Sequence, residues 1–169
     1  SVMIRSEVMK KFGYQDMRMG EDYYLFYNMN KKGYKMGTVT EYLVKHRVRN
    51  TSITAQDKFG NYECKYIIKK DIIEPLFFKG DVYIWGSGSF GVLVNDILKK
   101  YNHRVKGFID SDISKHGQII SELKVYSPDI LQKRKDIKII VASQLGKYSI
   151  VKELEIRKYM HIEDYIVYY

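Results

Sequence analysis

Cysteine is almost missing: Cys64 is the only one in 169 residues. A single thiol excludes an intrachain disulfide and any cysteine-rich zinc site, and it fits a cytosolic protein. No apolar stretch approaches the roughly 18 to 20 residues that a bilayer-crossing helix needs. The start of the chain lacks the charged segment and apolar core of a signal peptide. Lysines fall in scattered pairs, at 10, 31, 69 and 99, without a long basic stripe, so no nucleic-acid groove is indicated. Internal repeats and low-complexity tracts are missing too.

What remains is an ordinary globular composition with two accents. The apolar fraction of 45% argues against disorder, and the length holds one domain or two small ones. Sixteen tyrosines suit a core or a sugar- or base-stacking surface equally. A net charge of +9 would attract nucleotides, other polyanions or an acidic membrane surface. It equally describes a lysine-rich solvated surface. The opening "SVMIRSEVM" reads as a strand running into a helix, as though cut from a larger protein.

Along the chain, the first third reads as short elements. "SVMI" is strand-like, and "RSEVMKKFG" is a helix with Ser6 as cap and Gly13 at its end. "DYYLFYNMNKKG" is a second helix, closed by Gly33, with Glu21 and Asp22 just at its start. Two carboxylates there offset the unpaired amides of a helix N-terminus, or one of them serves as a base. "YKMGTVT" and "EYLVKHRVR" read as extended segments. From Asp57 to Phe78 the period is helical, with Pro75 expected to kink or end the helix. A domain boundary is expected near Lys79 and Gly80, giving units 1–79 and 80–169.

The second unit alternates apolar strands ("DVYIW", "VKGFID", "IKIIVAS", "DYIVYY") with helices. Ser127 and Pro128 stand at the cap and first position of one of those helices. Such alternation predicts an α/β fold, a Rossmann-like parallel sheet of about four strands. Between the first strand and its helix lies "GSGSFG", residues 86–91, a full G-x-G-x-x-G. Gly86 permits the tight turn, Gly88 lets a phosphate reach the backbone, and Gly91 lets helix and strand pack closely. Ser87 and Ser89 add hydroxyl donors. Asp110 follows Gly91 by 19 residues, near the spacing of about 20 at which an acid holds a ribose hydroxyl. A nucleotide or nucleotide sugar is the expected ligand. The other reading is a turn-shaping loop in a module that binds nothing.

Two resemblances sharpen these expectations. The stretch 81–169, with its glycine loop, "GFIDSD", His116–Gly117 and "VYSP", is similar to a Rossmann-like module. Such modules form the N-terminal domain of sugar-nucleotide acyltransferases and stand beside some sugar methyltransferases and glycosyltransferases. Residues 1–56, in the order "KKFGYQ", "GEDYYL", "KKGY" and "HRVRNTS", resemble the C-terminal part of the catalytic domain of family 2 glycosyltransferases, which have a type-A fold. This resemblance makes the first unit a partial, helix-rich glycosyltransferase segment.

It also implies that Asp22 is the base that deprotonates the acceptor hydroxyl, with Glu21 its companion, Tyr23 positioning a sugar, and Arg47 and Arg49 meeting phosphate. Arg49 stands where the family often has a histidine, and His46 is a candidate substitute. The family's D-x-D, which carries a divalent Mn or Mg ion, has no counterpart here. The "DSD" at 110–112 lies in the other module, and no metal ligand is assigned in this chain. The expected function is transfer of a sugar from a nucleotide donor to a saccharide or lipid-linked acceptor, in surface polysaccharide synthesis. The expected setting is cytoplasmic, at the inner face of a membrane by peripheral association, with self-association through uncovered apolar faces. By itself the chain is expected to be inactive. The alternative is a non-enzymatic module that binds a nucleotide or sugar nucleotide, and an oxidoreductase using a nicotinamide cofactor is the weaker third reading.

Overall fold

The computed structural model describes residues 2–41, 43–45, 49–133 and 136–168, and its packing divides the chain between Ile68 and Lys69. The first unit contains helices α1 (Ser6–Phe12), α2 (Glu21–Lys31), α3 (Ile53–Gln56) and α4 (Lys58–Ile68). Helix α2 ends as its sequence predicts. Gly33 takes φ +78°, its amide donates to Asn30 O, and the Tyr34 amide reaches back to Met29 O, which is the Schellman closure. Helices α2 and α4 pack together, burying Leu25, Met29 and Cys64. Gly20 allows their approach, since a Cβ there would lie 2.6 Å from Cys64 Sγ.

Two local expectations fail in this unit. Ser6 lies inside the first turn of α1, and Arg5 occupies the cap without a side-chain bond. The extended segments expected at 1–4, 34–40 and 41–49 form no strand among the described residues. β-branched residues favour extended backbone, but a ladder needs a partner strand, and none pairs with them.

The second unit runs α5 (Lys70–Lys79), β1 (Asp81–Trp85), α6 (Ser89–Lys100), β2 (Gly107–Ile109), a 3₁₀ turn at Ile113–Lys115, β3 (Ile119–Ile120), β4 (Leu123–Tyr126), α7 (Ile130–Lys133), β5 (Ile137–Val141), α8 (Lys147–Ile156) and β6 (Tyr165–Val167). The sheet order is β3-β4-β2-β1-β5-β6. Every neighbouring pair is parallel except β3 with β4. This is the α/β, Rossmann-like architecture that the alternation predicts. The parallel run β4-β2-β1-β5-β6 reverses direction of growth between β1 and β5, and that reversal is the topological switch point. Trp85 at the end of β1 stands opposite Ile109 of β2 and Val141 of β5.

Because helices cover both faces, β1 and β5 are buried along almost their whole length. Tyr83, Trp85, Ile139 and Val141 form one core with Ile150 and Leu154 of α8. On the other face α6 contributes Val94, Ile97 and Leu98, all fully buried.

The sheet holds six strands rather than about four. The two extra strands are the hairpin β3–β4, whose turn residues Ser121 and Glu122 both take positive φ, +47° and +68°. Neither residue is the Gly or Asn that usually announces such a turn. The helix expected over 57–78 is two helices that part at Lys69. Pro75 sits in the second turn of α5 without ending it. Helix α5 packs on β1, β5 and β6, so it belongs to the sheet's unit, and the division falls ahead of the expected Lys79–Gly80. Lys69 is buried, and its Nζ donates to Val167 O at the end of the last strand at 3.2 Å.

Candidate functional site

The glycine loop lies where β1 gives way to α6, at the carboxyl ends of the parallel strands and beside the switch point. Two of its glycines are demanded by the fold. Gly86 has φ +119°, and a Cβ there would stand 2.5 Å from Ala142 O beyond β5. A Cβ on Gly91 would lie 1.8 Å from Gly86 O, so only glycine lets α6 start so close to the strand. Gly88 differs. Its backbone is extended, φ −75° and ψ −175°, which any residue adopts, and a Cβ there would meet nothing within 4 Å. It is the N-cap of α6, a position where Ser, Asp or Asn would satisfy an orphan amide.

Asp110, one residue past β2, is tied to this loop. Its Oδ2 accepts from the Ser87 amide at 3.0 Å, the Ser87 hydroxyl at 2.5 Å and Lys115 Nζ at 3.2 Å. Its Oδ1 accepts from the Asp112 amide at 3.0 Å. Burial alone would push the carboxyl up. The bonds from Ser87, Asp112 and Lys115 outweigh it and hold Asp110 down at about 2. Asp112 caps the following 3₁₀ turn through Ser114, amide and hydroxyl both. His116 Nε2 lies 2.8 Å from Asp110 O, so "DSDISKH" is one hydrogen-bonded corner beside the loop.

Gly86, Ser87, Gly88, Ser89, Gly91 and Asp110 are therefore neighbours, as their spacing predicts. Ser87 is buried with its hydroxyl and amide committed to Asp110, whereas Ser89 is exposed at the helix start. Lys115, a cation five residues after Asp110, is an addition that motif reading passes over.

In the first unit, Glu21, Asp22 and Tyr23 share a cleft of about 450 Å³ with Arg18, Cys64 and Lys65. Asp22 is exposed, and its Oδ1 accepts the Tyr23 amide at 2.6 Å. That contact is the ordinary use of a carboxylate at a helix N-terminus. Burial, with Cys64 nearby, pushes the Tyr23 phenol up to about 12. Burial likewise raises the Cys64 thiol, with Asp22 and Glu21 adding to it against Lys65, and lowers Lys65. Arg49 is exposed just before α3, and the cleft is not lined by it. Arg47 and His46 lie outside the described residues. Among the described residues no group of three or more His, Cys, Asp or Glu is placed to hold a metal ion, and no helix is long and apolar enough to cross a membrane.

No family model matches the chain, and none of the curated proteins matches it. Solved structures do. UDP-D-quinovosamine 4-dehydrogenase from Vibrio fischeri is 29% identical over 46% of this chain and 70% of its own, with a TM-score of 0.39. RSP, a Rex-family repressor, is 14% identical over 99% of this chain and 87% of its own, with a TM-score of 0.43. RSP in complex with β-NAD⁺ and operator DNA is 12% identical over 99% and 86%, with a TM-score of 0.41. Overlap at this level bears on neither ligand nor activity.

Proposed function

We propose that the second unit is a nucleotide-binding module, and that its ligand carries a diphosphate of the nucleotide or nucleotide-sugar kind. The observation that supports this most is Gly88. The fold requires glycine at 86 and 91, but at 88 neither sterics nor backbone angles do, and a capping residue there would stabilise α6. A bare backbone facing open space at a helix N-terminus is what a phosphate needs. The loop also stands at the switch point, where open α/β sheets bind ligands. In this reading the Gly88–Gly91 backbone and the Ser89 hydroxyl take the phosphates, and Lys115 offsets their charge. Asp110 and Ser87 hold the loop in shape, and Asp110 Oδ1, which accepts one amide, has a lone pair left for a ribose hydroxyl.

Calorimetry of the chain with uridine, guanosine, cytidine and nicotinamide nucleotides tests it. One class is expected to bind at micromolar to millimolar concentration. Gly88→Val should abolish that binding while the protein stays folded, because a Cβ there enters open space and the cost is limited to that of a poorer N-cap. If no nucleotide binds the folded protein at millimolar concentration, the loop only shapes a turn.

A second reading rests on the cleft that gathers Glu21, Asp22 and Tyr23. On it, the first unit is the acceptor side of an inverting glycosyltransferase, with Asp22 as base. In the shortest chain that supports transfer, Asp22→Asn is expected to lower kcat on the order of 10²-fold with donor affinity unchanged. Near-normal turnover would leave Asp22 as a helix-terminus carboxylate and nothing more.

A further inference from the structure

Helix α6 buries an amide that nothing around it satisfies. Asn95 is 1% exposed, yet among the described residues neither its Oδ1 nor its Nδ2 has a hydrogen-bond partner. It shares α6 with the fully buried Val94, Ile97 and Leu98, and a buried amide left unpaired destabilises the fold. Asn95 lines a cavity of about 360 Å³ together with Lys99, His103, Arg104 and Glu122. That space suits a small molecule of a few hydrogen-bonding groups. It lies between the last turns of α6, the connection leading into β2 and the β3–β4 turn. This is the edge of the sheet where β2 and β4 begin, opposite the glycine loop.

The chemistry of the lining is specific. Asn95 offers two donors and an acceptor, a match for hydroxyl groups, which both give and take a hydrogen bond. Arg104 is exposed and has no ion pair among the described residues. Lys99 is paired with the exposed Glu122, at 3.3 Å. His103 is held by stacking on Phe77, 4.4 Å between centroids, and faces Glu74 at 3.7 Å. Cations at the mouth and a neutral amide at the wall fit an anion that is also hydroxylated.

We propose that this cavity binds a small phosphorylated polyol, its hydroxyls against Asn95 and its phosphate at Arg104 and Lys99. The site is separate from the glycine loop and does not depend on what binds there. The test uses the whole chain with glucose 1-phosphate and glycerol 3-phosphate as probes, followed by calorimetry and thermal melting. At least one probe is expected to bind and raise the melting temperature, and inorganic phosphate or glycerol alone should bind more weakly by about ten-fold or more. Asn95→Leu should melt several degrees higher without ligand, because the orphan amide is gone, and should lose the binding. Arg104→Ala should keep the wild-type melting temperature and also lose it. Gly88→Val should bind the probes as wild type does. The proposal is overturned if neither probe binds at millimolar concentration, if Asn95→Leu lowers the melting temperature, or if binding survives both Asn95→Leu and Arg104→Ala. Loss of probe binding in Gly88→Val would overturn it too, by moving the probe to the glycine loop.

Discussion

At the scale of the residue, Asp110 is the loop's fastening, and acid should undo it. Its carboxyl is held at about 2, below the ordinary 3.8, so its contribution is complete above the ordinary carboxylate range and is lost as pH falls through the folded value. Asp110→Asn is expected to cost about 1–3 kcal/mol near neutrality, with the difference from wild type closing between about pH 4 and pH 2. Urea melts across that range measure it, and a constant difference would show that the carboxylate's charge plays no part. The three glycines should separate in the same assay. Gly86→Ala and Gly91→Ala meet backbone oxygens and are expected to lose on the order of 3 kcal/mol or more. Gly88→Ala meets nothing and should cost only about 1 kcal/mol or less, the penalty of a poorer N-cap. The positions of these residues were legible from spacing alone. The uses of Ser87, Lys115 and Asn95 were not, since a buried hydroxyl's partner and an orphan amide are facts of packing that no local pattern records.

At the scale of the element, legibility followed length and partnering. Long apolar runs and amphipathic periods marked β1, α6, β5 and α8. Ser127 and Pro128, expected as cap and first position of a helix, lie in the turn before it, where the Ser127 hydroxyl accepts the Asp129 amide at 3.2 Å, and α7 starts at Ile130. The hairpin β3–β4 escaped notice because its two strands are short and its turn is made by residues that dislike positive φ. That misfit predicts its own repair. Replacing Ser121–Glu122 with Asn–Gly should stabilise the unit by about 1–2 kcal/mol, since each left-handed non-glycine residue costs about 1 kcal/mol. A melt of the double variant checks it, and an unchanged or lower midpoint would mean that the Lys99–Glu122 pair matters more than the backbone. In the first unit the reverse happened: Val39, Leu43 and Val44 looked like strand residues, but they are exposed and pair with no strand among the described residues.

At the scale of the whole molecule, the division between Ile68 and Lys69 can be tested by cutting. A chain of residues 69–169 is expected to melt cooperatively, with the sheet covered by α5. A chain of 80–169, cut where composition placed the boundary, loses Ile73 and Leu76, both fully buried. At about 1.5–3 kcal/mol for each such side chain, the loss approaches the whole stability of a small domain. Circular dichroism and amide exchange would distinguish a folded 69–169 from a frayed 80–169, and equal stability would return the boundary to Gly80. The bond from Lys69 to Val167 carries this further. It brings the unit's first residue within one side chain's reach of its last described strand. Such a body can be spliced into a surface loop of an unrelated protein, or have its ends joined and be reopened at the fully exposed Leu145, with its strand order intact.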